Sequence, residues 1–512
     1  MIFCFTNFTL KISVYVVLII CTYFHNIYTH IHASLITHIY KYITTQQNRK
    51  QREKTMGTLY QEPPSLLQDL KVTVHSSSLV FPSQESERKS MFLSNIDQVL
   101  NFSVETVHFF PSKKDFPPEV VAEKLKHTLA KALVPYDFLA GRFNRNPKTG
   151  RLEIDCNAAG VGFVVASSEY TLDEIGDLVY PNPGFAQLVC KTLGYILKPD
   201  DQPLGIFQLT SFKCGGFAMG ISTNHATFDG LSFKHFLDNL ASLASDKPCL
   251  AVIPCNDRQL LAARSPPQVP FSHPELLKIP HGQESNLSVF EATQEDLAFN
   301  IFRLTSGDIA TIKEQAKATS GAANNANTRI TGFNVVAAHV WRCKALSCGA
   351  DNNMERLSTI LYAVDIRPRL KPPLPSSYAG NAVLTAYATA PCKELAEGPL
   401  AKLVEMVSEG ARRMTDEYAR SAIDWGELYK GFPHGEFLVS SWWRLGFAEV
   451  KYPWGRPRYS CPIVYHRKDI ILLFPDINEG GDERDSGVNV LVALPAEEMK
   501  KFQSLFHELL AA

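Results

Sequence analysis

Two cysteines never stand in a Cys-x-x-Cys pair in this chain, although eleven are present, from Cys4 to Cys461. Their odd number and irregular spacing argue against a disulfide framework and point to reduced thiols in a cytoplasmic protein. Cys and His also show no zinc-finger spacing, so no metal site is expected. Charge of one sign is missing as well: 51 Lys and Arg stand against 52 Asp and Glu, a formal net charge of -1. That balance carries no basic footprint, so a nucleic-acid partner is not expected. Nor is there an internal repeat. What remains is ordinary globular composition, 45% hydrophobic and 20% charged, in a chain long enough for two or three domains.

The first 55 residues differ in kind. Ile12 to Phe24 is an apolar run preceded by Lys11, with no acidic residue. About 20 apolar residues are needed to cross a bilayer, and this core is shorter. Extending it back to Ile2 places Lys11 in its middle, and no small-x-small cleavage site follows. His25, His30, His32 and His38 have no ligand spacing. Met56-Gly57 resembles an ordinary cytosolic start. Residues 1–55 therefore read as a non-native upstream extension, with a membrane anchor as the alternative; a membrane partner is expected only in the second case.

Beyond this segment, apolar alternation predicts strands over Leu70 to Leu79 and Val104 to Phe110, and shorter ones at Arg151 to Asp155 and Gly162 to Ala166. Two more fall within Gln202 to Ser222, around the turn Lys213-Cys214-Gly215-Gly216. Helical spacing marks Glu119 to Leu133 and Leu231 to Ala244. Five prolines between Arg264 and Pro280 exclude regular structure and suit a crossover. A second half follows, with strands at Asn300 to Leu304 and Thr359 to Asp365. Its helices are expected at Ser306 to Ala318, Gly332 to Leu346 and Leu400 to Tyr418. Ala316 to Thr328 and Asn478 to Gly487 read as mobile surface loops. The expected fold is α/β (α+β), each half built on a mixed sheet. Residues 56–263 form the first half, 264–285 the linker and 286–512 the second.

One constellation carries chemistry. His225-Ala226-Thr227-Phe228-Asp229-Gly230 begins at a strand end and runs into a helix. A histidine there can act as a general base, because its pKa lies near working pH. Asp229 has two readings: it orients His225, as the acid of a triad does, or it turns away and shapes the turn through an arginine. Spacing alone leaves both open.

The six residues resemble the HxxxDG motif of the plant BAHD acyltransferases, and the likeness extends over most of residues 65–512. Leu93-Ser94-Asn95-Ile96-Asp97 looks like the family's LSNLD element, and Leu139-Ala140-Gly141-Arg142 matches its LAGR. Phe212 to Gly216 is similar to the strand leading to the histidine. Asn256-Asp257-Arg258 and Arg264-Ser265-Pro266-Pro267 resemble the start of its crossover. Ala338 to Arg342, Asp365 to Arg369 and Tyr378-Ala379-Gly380-Asn381 follow in family order. Within the family the likeness is nearest to a group linked to brassinosteroid or developmental metabolism, judged by Tyr452-Pro453-Trp454-Gly455.

The resemblance implies two chloramphenicol-acetyltransferase-like domains around a channel, with His225 midway and a monomeric enzyme. Acyl-CoA is then a co-substrate rather than a bound cofactor, and a small-molecule acceptor is the other partner. It also implies that Asp229 faces an arginine. Arg367 is the candidate; Arg369, on the same strand face, is the alternative. Arg444, within Ser440-Ser441-Trp442-Trp443-Arg444, aligns with an arginine that holds an acceptor carboxylate in shikimate-type members, and is otherwise a surface or interdomain arginine. His339 reads as a satisfied core histidine, and Trp442 and Trp443 as half core, half surface.

The chain departs from the family at its second signature. Where relatives carry DFGWG, this sequence has Lys451-Tyr452-Pro453-Trp454-Gly455. The lysine reverses a charge and removes a carboxylate–arginine pair, a loss of about 3–5 kcal/mol if the pair was buried. The retained Trp454 and Gly455 suggest that the local packing survives. This departure supports an alternative class, a non-catalytic accessory protein of lipid or wax metabolism. A condensation domain is disfavoured, since Asn224 stands where those carry a second histidine.

Overall fold

Strands whose two faces are both covered read as near-continuous apolar runs, and this chain has many. The computed structural model describes residues 67–511, apart from 181, 195–196, 199–200, 280–294, 319–329, 349–352, 464–466 and 477–486. The N-terminal apolar run and most of the two expected loops lie outside the described residues. Ser65–Ala512 make up one compact unit.

The main strands are β1 (Val72–Val80), β2 (Ser103–Phe110), β3 (Val161–Ser168), β4 (Gly205–Ser211), β5 (Phe217–Asn224) and β6 (Ala298–Leu304). They continue with β7 (Leu357–Asp365), β8 (Val383–Pro391), β9 (Phe437–Ser441), β10 (Tyr459–Pro462), β11 (Ile470–Pro475) and β12 (Val488–Leu494). They form two six-stranded sheets, ordered β1-β3-β4-β5-β2-β10 and β6-β12-β11-β9-β7-β8. Both are mixed: β3 and β4 run parallel, as does β9 with β7 and with β11.

The linear division into halves does not follow the sheets. β10, from the second half, pairs with β2 from Tyr459↔Phe109 to Pro462↔Thr106 and closes the edge of the first sheet. Four residues, Tyr-Ser-Cys-Pro, carry no signal of so distant a partner; the pairing is fixed by tertiary packing.

Helix starts follow local chemistry. α1 (Pro118–Ala132) opens on proline at its first position, where the missing N–H costs nothing. α2 (Gly230–Leu243) is capped by Asp229, whose side chain accepts from the Ser232 N–H. α3 (Ser306–Ala318) and α4 (Gly332–Ser347) follow; α4 is buried on nearly every face. The helix expected over Leu400 to Tyr418 is two, α5 (Leu400–Arg413) and α6 (Asp416–Leu428). Thr415 breaks it by accepting from the Tyr418 N–H as an N-cap, a competing hydrogen bond that apolar spacing conceals. α7 (Ala496–Ala511) closes the chain's core.

The proline-rich crossover is more ordered than expected. Leu276–Lys278 pairs antiparallel with Gly431–Pro433. The buried Asp424 carboxylate accepts from the Arg264 N–H (2.8 Å) and Nε (2.7 Å) and from the Gln268 N–H (2.7 Å). Proline keeps the segment from forming a regular ladder of its own, so the remaining donors are taken up by a side chain of α6 instead. One core lies under the first sheet, around Phe110, Leu129, Phe138 and Phe236. A second lies under the second sheet, around Trp341, Tyr362, Val490 and Phe502, and a third gathers Phe109, Phe185, Tyr459 and Phe474.

Candidate active site

His225 directly follows β5, and its backbone N–H donates to the Phe102 carbonyl at 2.8 Å. The Phe102 ring centroid lies 5.2 Å from the imidazole. The ring is partly buried, with Nδ1 3.2 Å from Asn381 Oδ1. The Asn381 amide has one orientation. Its Nδ2 donates to the His225 carbonyl and to Asp97 Oδ1, both at 2.8 Å, and neither acceptor can donate in return. The oxygen is therefore the atom facing His225, and Nδ1 carries the imidazole proton. Nε2 keeps its lone pair. Burial pushes the His225 pKa below its ordinary value, against opposing pulls from its own backbone, Asp229, Asn381 and Asp97.

Asp229 is turned away from this ring. Its carboxylate meets the Arg367 guanidinium through two contacts, Nη2 to Oδ1 at 3.0 Å and Nη1 to Oδ2 at 2.9 Å. Oδ2 also accepts from the Ala382 N–H and Oδ1 from the Ser232 N–H, both at 2.9 Å. Burial alone would raise this carboxyl, but Arg367 together with the Ser232 and Ala382 N–H groups outweighs it and holds the pKa below the ordinary value. Arg369 is elsewhere, donating to the Ala411 and Met414 carbonyls at the C-terminal end of α5. Both arginines stand past the end of β7, so strand alternation did not distinguish them; the turn after Asp365 did. Gly230 begins α2 against Leu445, whose Cδ1 would lie 2.6 Å from an added Cβ.

Three residues absent from the sequence-based site join it. Asn381 was visible only as part of a motif, and Asp97 and Arg258 likewise. Asp97 and Arg258 form a buried pair, Nη1 to Oδ1 at 3.0 Å. Arg258 also donates to the Ala226 (3.2 Å) and Thr227 (2.7 Å) carbonyls. Two carboxylate–arginine pairs thus flank the histidine, each joining segments distant in sequence.

The 451–455 segment does not carry the penalty expected of it. Lys451 is exposed, on the rim of a cleft of about 740 Å³ that also borders Asp238, Asp246 and Glu449. A charge left in water incurs no burial cost. The Tyr452 N–H donates to the Gly455 carbonyl (3.1 Å) and the Gly455 N–H to the Tyr452 carbonyl (2.9 Å), closing a tight turn. Gly455 has φ +117°, which a side chain would strain. Trp454 stacks on Tyr452 at 5.0 Å, and both rings meet Phe110 edge-on.

Arg444 is exposed, its guanidinium 5.1 Å from the Trp443 ring centroid. Trp443 is buried in the second core, whereas Trp442 is partly buried at the edge of the first. Both follow β9 rather than extending it. His339 is a core histidine packed 4.6 Å from the Phe506 ring, its pKa lowered to about 4 by burial. Lys213 and Cys214 are exposed in the β4–β5 turn. The nine described cysteines are unpaired. Among the described residues no His, Cys, Asp and Glu cluster is disposed to hold a metal, and no helix is long and apolar enough to cross a membrane.

Residues 70–509 match the model of the Transferase family. The chain is 65% identical over 461 residues to acyltransferase GLAUCE of Arabidopsis thaliana, covering 89% of this chain and 100% of that protein. It is 33% identical over 446 residues to omega-hydroxypalmitate O-feruloyl transferase of the same plant, covering 85% and 93%. Among solved structures, vinorine synthase superposes with a TM-score of 0.65 at 23% identity, over 85% of this chain and 98% of the other. TRI101 of F. sporotrichioides, solved with coenzyme A and T-2, superposes at 0.60 with 15% identity, over 81% and 97%.

Proposed function

Since this chain belongs to the Transferase family, the BAHD acyltransferases, we propose that it moves an acyl group from acyl-CoA to an acceptor hydroxyl or amine with His225 as general base. The observation that carries this reading is the Asn381 amide, which leaves Nε2 of a neutral imidazole as the free base. Nε2 takes the acceptor proton as the acceptor oxygen or nitrogen attacks the thioester carbonyl carbon. The tetrahedral intermediate then expels the CoA thiolate, which recovers the proton from Nε2. No covalent enzyme intermediate forms. Asp229 and Gly230 set the turn, Arg367 holds it, and Trp454 and Gly455 support the first core. The family supplies acyl-CoA as co-substrate, and no bound cofactor enters these steps.

Arg444 has a further role in this proposal. It is a cation without a carboxylate partner among the described residues, one residue from the Leu445 that packs on Gly230. It would hold an acidic group on the acceptor. Arg444→Ala is expected to raise KM for an acidic acceptor by about tenfold with little change in kcat.

The deciding experiment is a CoA-release assay of the chain and of His225→Ala with aliphatic and hydroxycinnamoyl donors. Transfer is expected to fall by at least about 100-fold in the variant. The accessory-protein reading loses its main support once Lys451 is exposed; it would regain ground if no donor and acceptor pair turned over.

A further inference from the structure

Asp97 is wholly buried, yet the chemistry above does not touch it. It lies in the short helix Asn95–Gln98, capped by Ser94. Oδ2 serves that cap, accepting from the Ser94 N–H (2.9 Å) and Oγ (2.8 Å). A cap needs only one oxygen. Oδ1 points the other way and accepts from Asn381 Nδ2 at 2.8 Å and from Arg258 Nη1 at 3.0 Å. Arg258 is itself immobilised: its guanidinium lies 5.3 Å from the Phe138 ring centroid, and a Cβ on Gly380 would come within 2.6 Å of its Cζ. The pair is thus packed, buried and aimed at the one amide that touches the imidazole.

We infer that Asp97 is a positioning residue for His225, acting through Asn381: its Oδ1 holds the amide so that the Asn381 oxygen meets Nδ1–H and Nε2 stays unprotonated. This rests on the reading of His225 as the base. An ionised carboxylate accepts and never donates, so it rejects the flipped amide. Arg258 Nη1 donates to the same oxygen at 3.0 Å. An asparagine at 97 lacks that property. If its oxygen serves the Ser94 N–H, its NH2 faces the Asn381 NH2, and the clash favours the flipped amide. The flipped amide then donates to Nδ1, and the imidazole proton moves to Nε2, where it blocks proton abstraction. The His225 carbonyl still accepts from the unflipped amide, so the outcome is a mixture of tautomers.

Nitrogen-15 spectra of histidine-labelled full-length protein test this, with the His225 signals identified by their loss in His225→Ala. The unsubstituted protein is expected to show protonated Nδ1 and unprotonated Nε2. In Asp97→Asn the signals should shift toward protonated Nε2, and kcat should fall at least about tenfold with KM for acyl-CoA nearly unchanged. Ser94→Ala weakens the same helix cap without touching Oδ1, and should lower stability while leaving tautomer and kcat alone. Protonated Nε2 in the unsubstituted protein would overturn the proposal, as would an unchanged tautomer in Asp97→Asn or an equal kcat loss in Ser94→Ala. Should Asp97→Asn not fold, Asp97→Ser is read in the same way. The spectra need no turnover, so an inactive protein would sink the acyltransfer reading and leave this one decidable.

Discussion

Histidine is a useful base only while it is neutral, and its surroundings here favour that state. Burial lowers the His225 pKa below the ordinary value of about 6.5. A base with a lowered pKa stays deprotonated further into acid, so the acid limb of kcat/KM is expected below about pH 6.5. A limb above pH 7, measured with a saturating acyl donor, would contradict this. Asp229 works in the opposite chemical sense. Its folded-state pKa is lowered, chiefly by Arg367 against burial. Its contribution to stability is therefore present above the unfolded value and lost as pH falls through the folded one. Asp229→Asn removes the buried carboxylate from Arg367 and leaves it only the part-exposed Asp365 at 3.1 Å, which should cost about 3 kcal/mol in urea unfolding at pH 7. The difference from the unsubstituted protein should shrink as its own carboxylate protonates at acid pH.

Among the elements, the 452–455 turn shows how a departure from family sequence is absorbed. The Tyr452 ring fills the space between Trp454 and Phe110, while its hydroxyl is buried without a hydrogen-bond partner among the described residues. Tyr452→Phe removes that unsatisfied group and keeps the ring, so it should stabilise the protein by about 1 kcal/mol in thermal or urea unfolding. The crossover gives the reverse case. Asp424→Ala removes the acceptor for three donors of residues 264–268, and limited proteolysis should then cut this segment faster than in the unsubstituted protein. Most long elements could be read from the sequence, because α1, α2 and the paired strands β2 and β5 carry their periodicity locally. The break at Thr415 could not, since a side-chain cap interrupts a helix without interrupting its apolar stripe. The strand Leu276–Lys278 was equally hidden, its partner lying more than a hundred residues away at Gly431–Pro433.

For the whole molecule, the residues of the candidate site were more legible than the contacts that support them. His225, Asp229 and Arg367 announced themselves through residue type and family order. Asn381 and Asp97 did not, because a tautomer is set by contacts between segments that only the fold brings together. The same long-range tie governs stability. With β10 in the first sheet and Arg367 of the second half paired with Asp229 of the first, the halves share both an edge strand and a buried ion pair. Calorimetry should therefore record one cooperative transition for residues 67–511 rather than two resolved ones.

The borrowed strand also has a consequence for synthesis. On the ribosome, β1 to β5 and His225 emerge well before Tyr459–Pro462. Until then β2, which carries Phe109 and Phe110, presents an unpaired edge, and such edges recruit other chains. The exposed edge of the first sheet is expected to persist until Tyr459–Pro462 has been made and has paired with it.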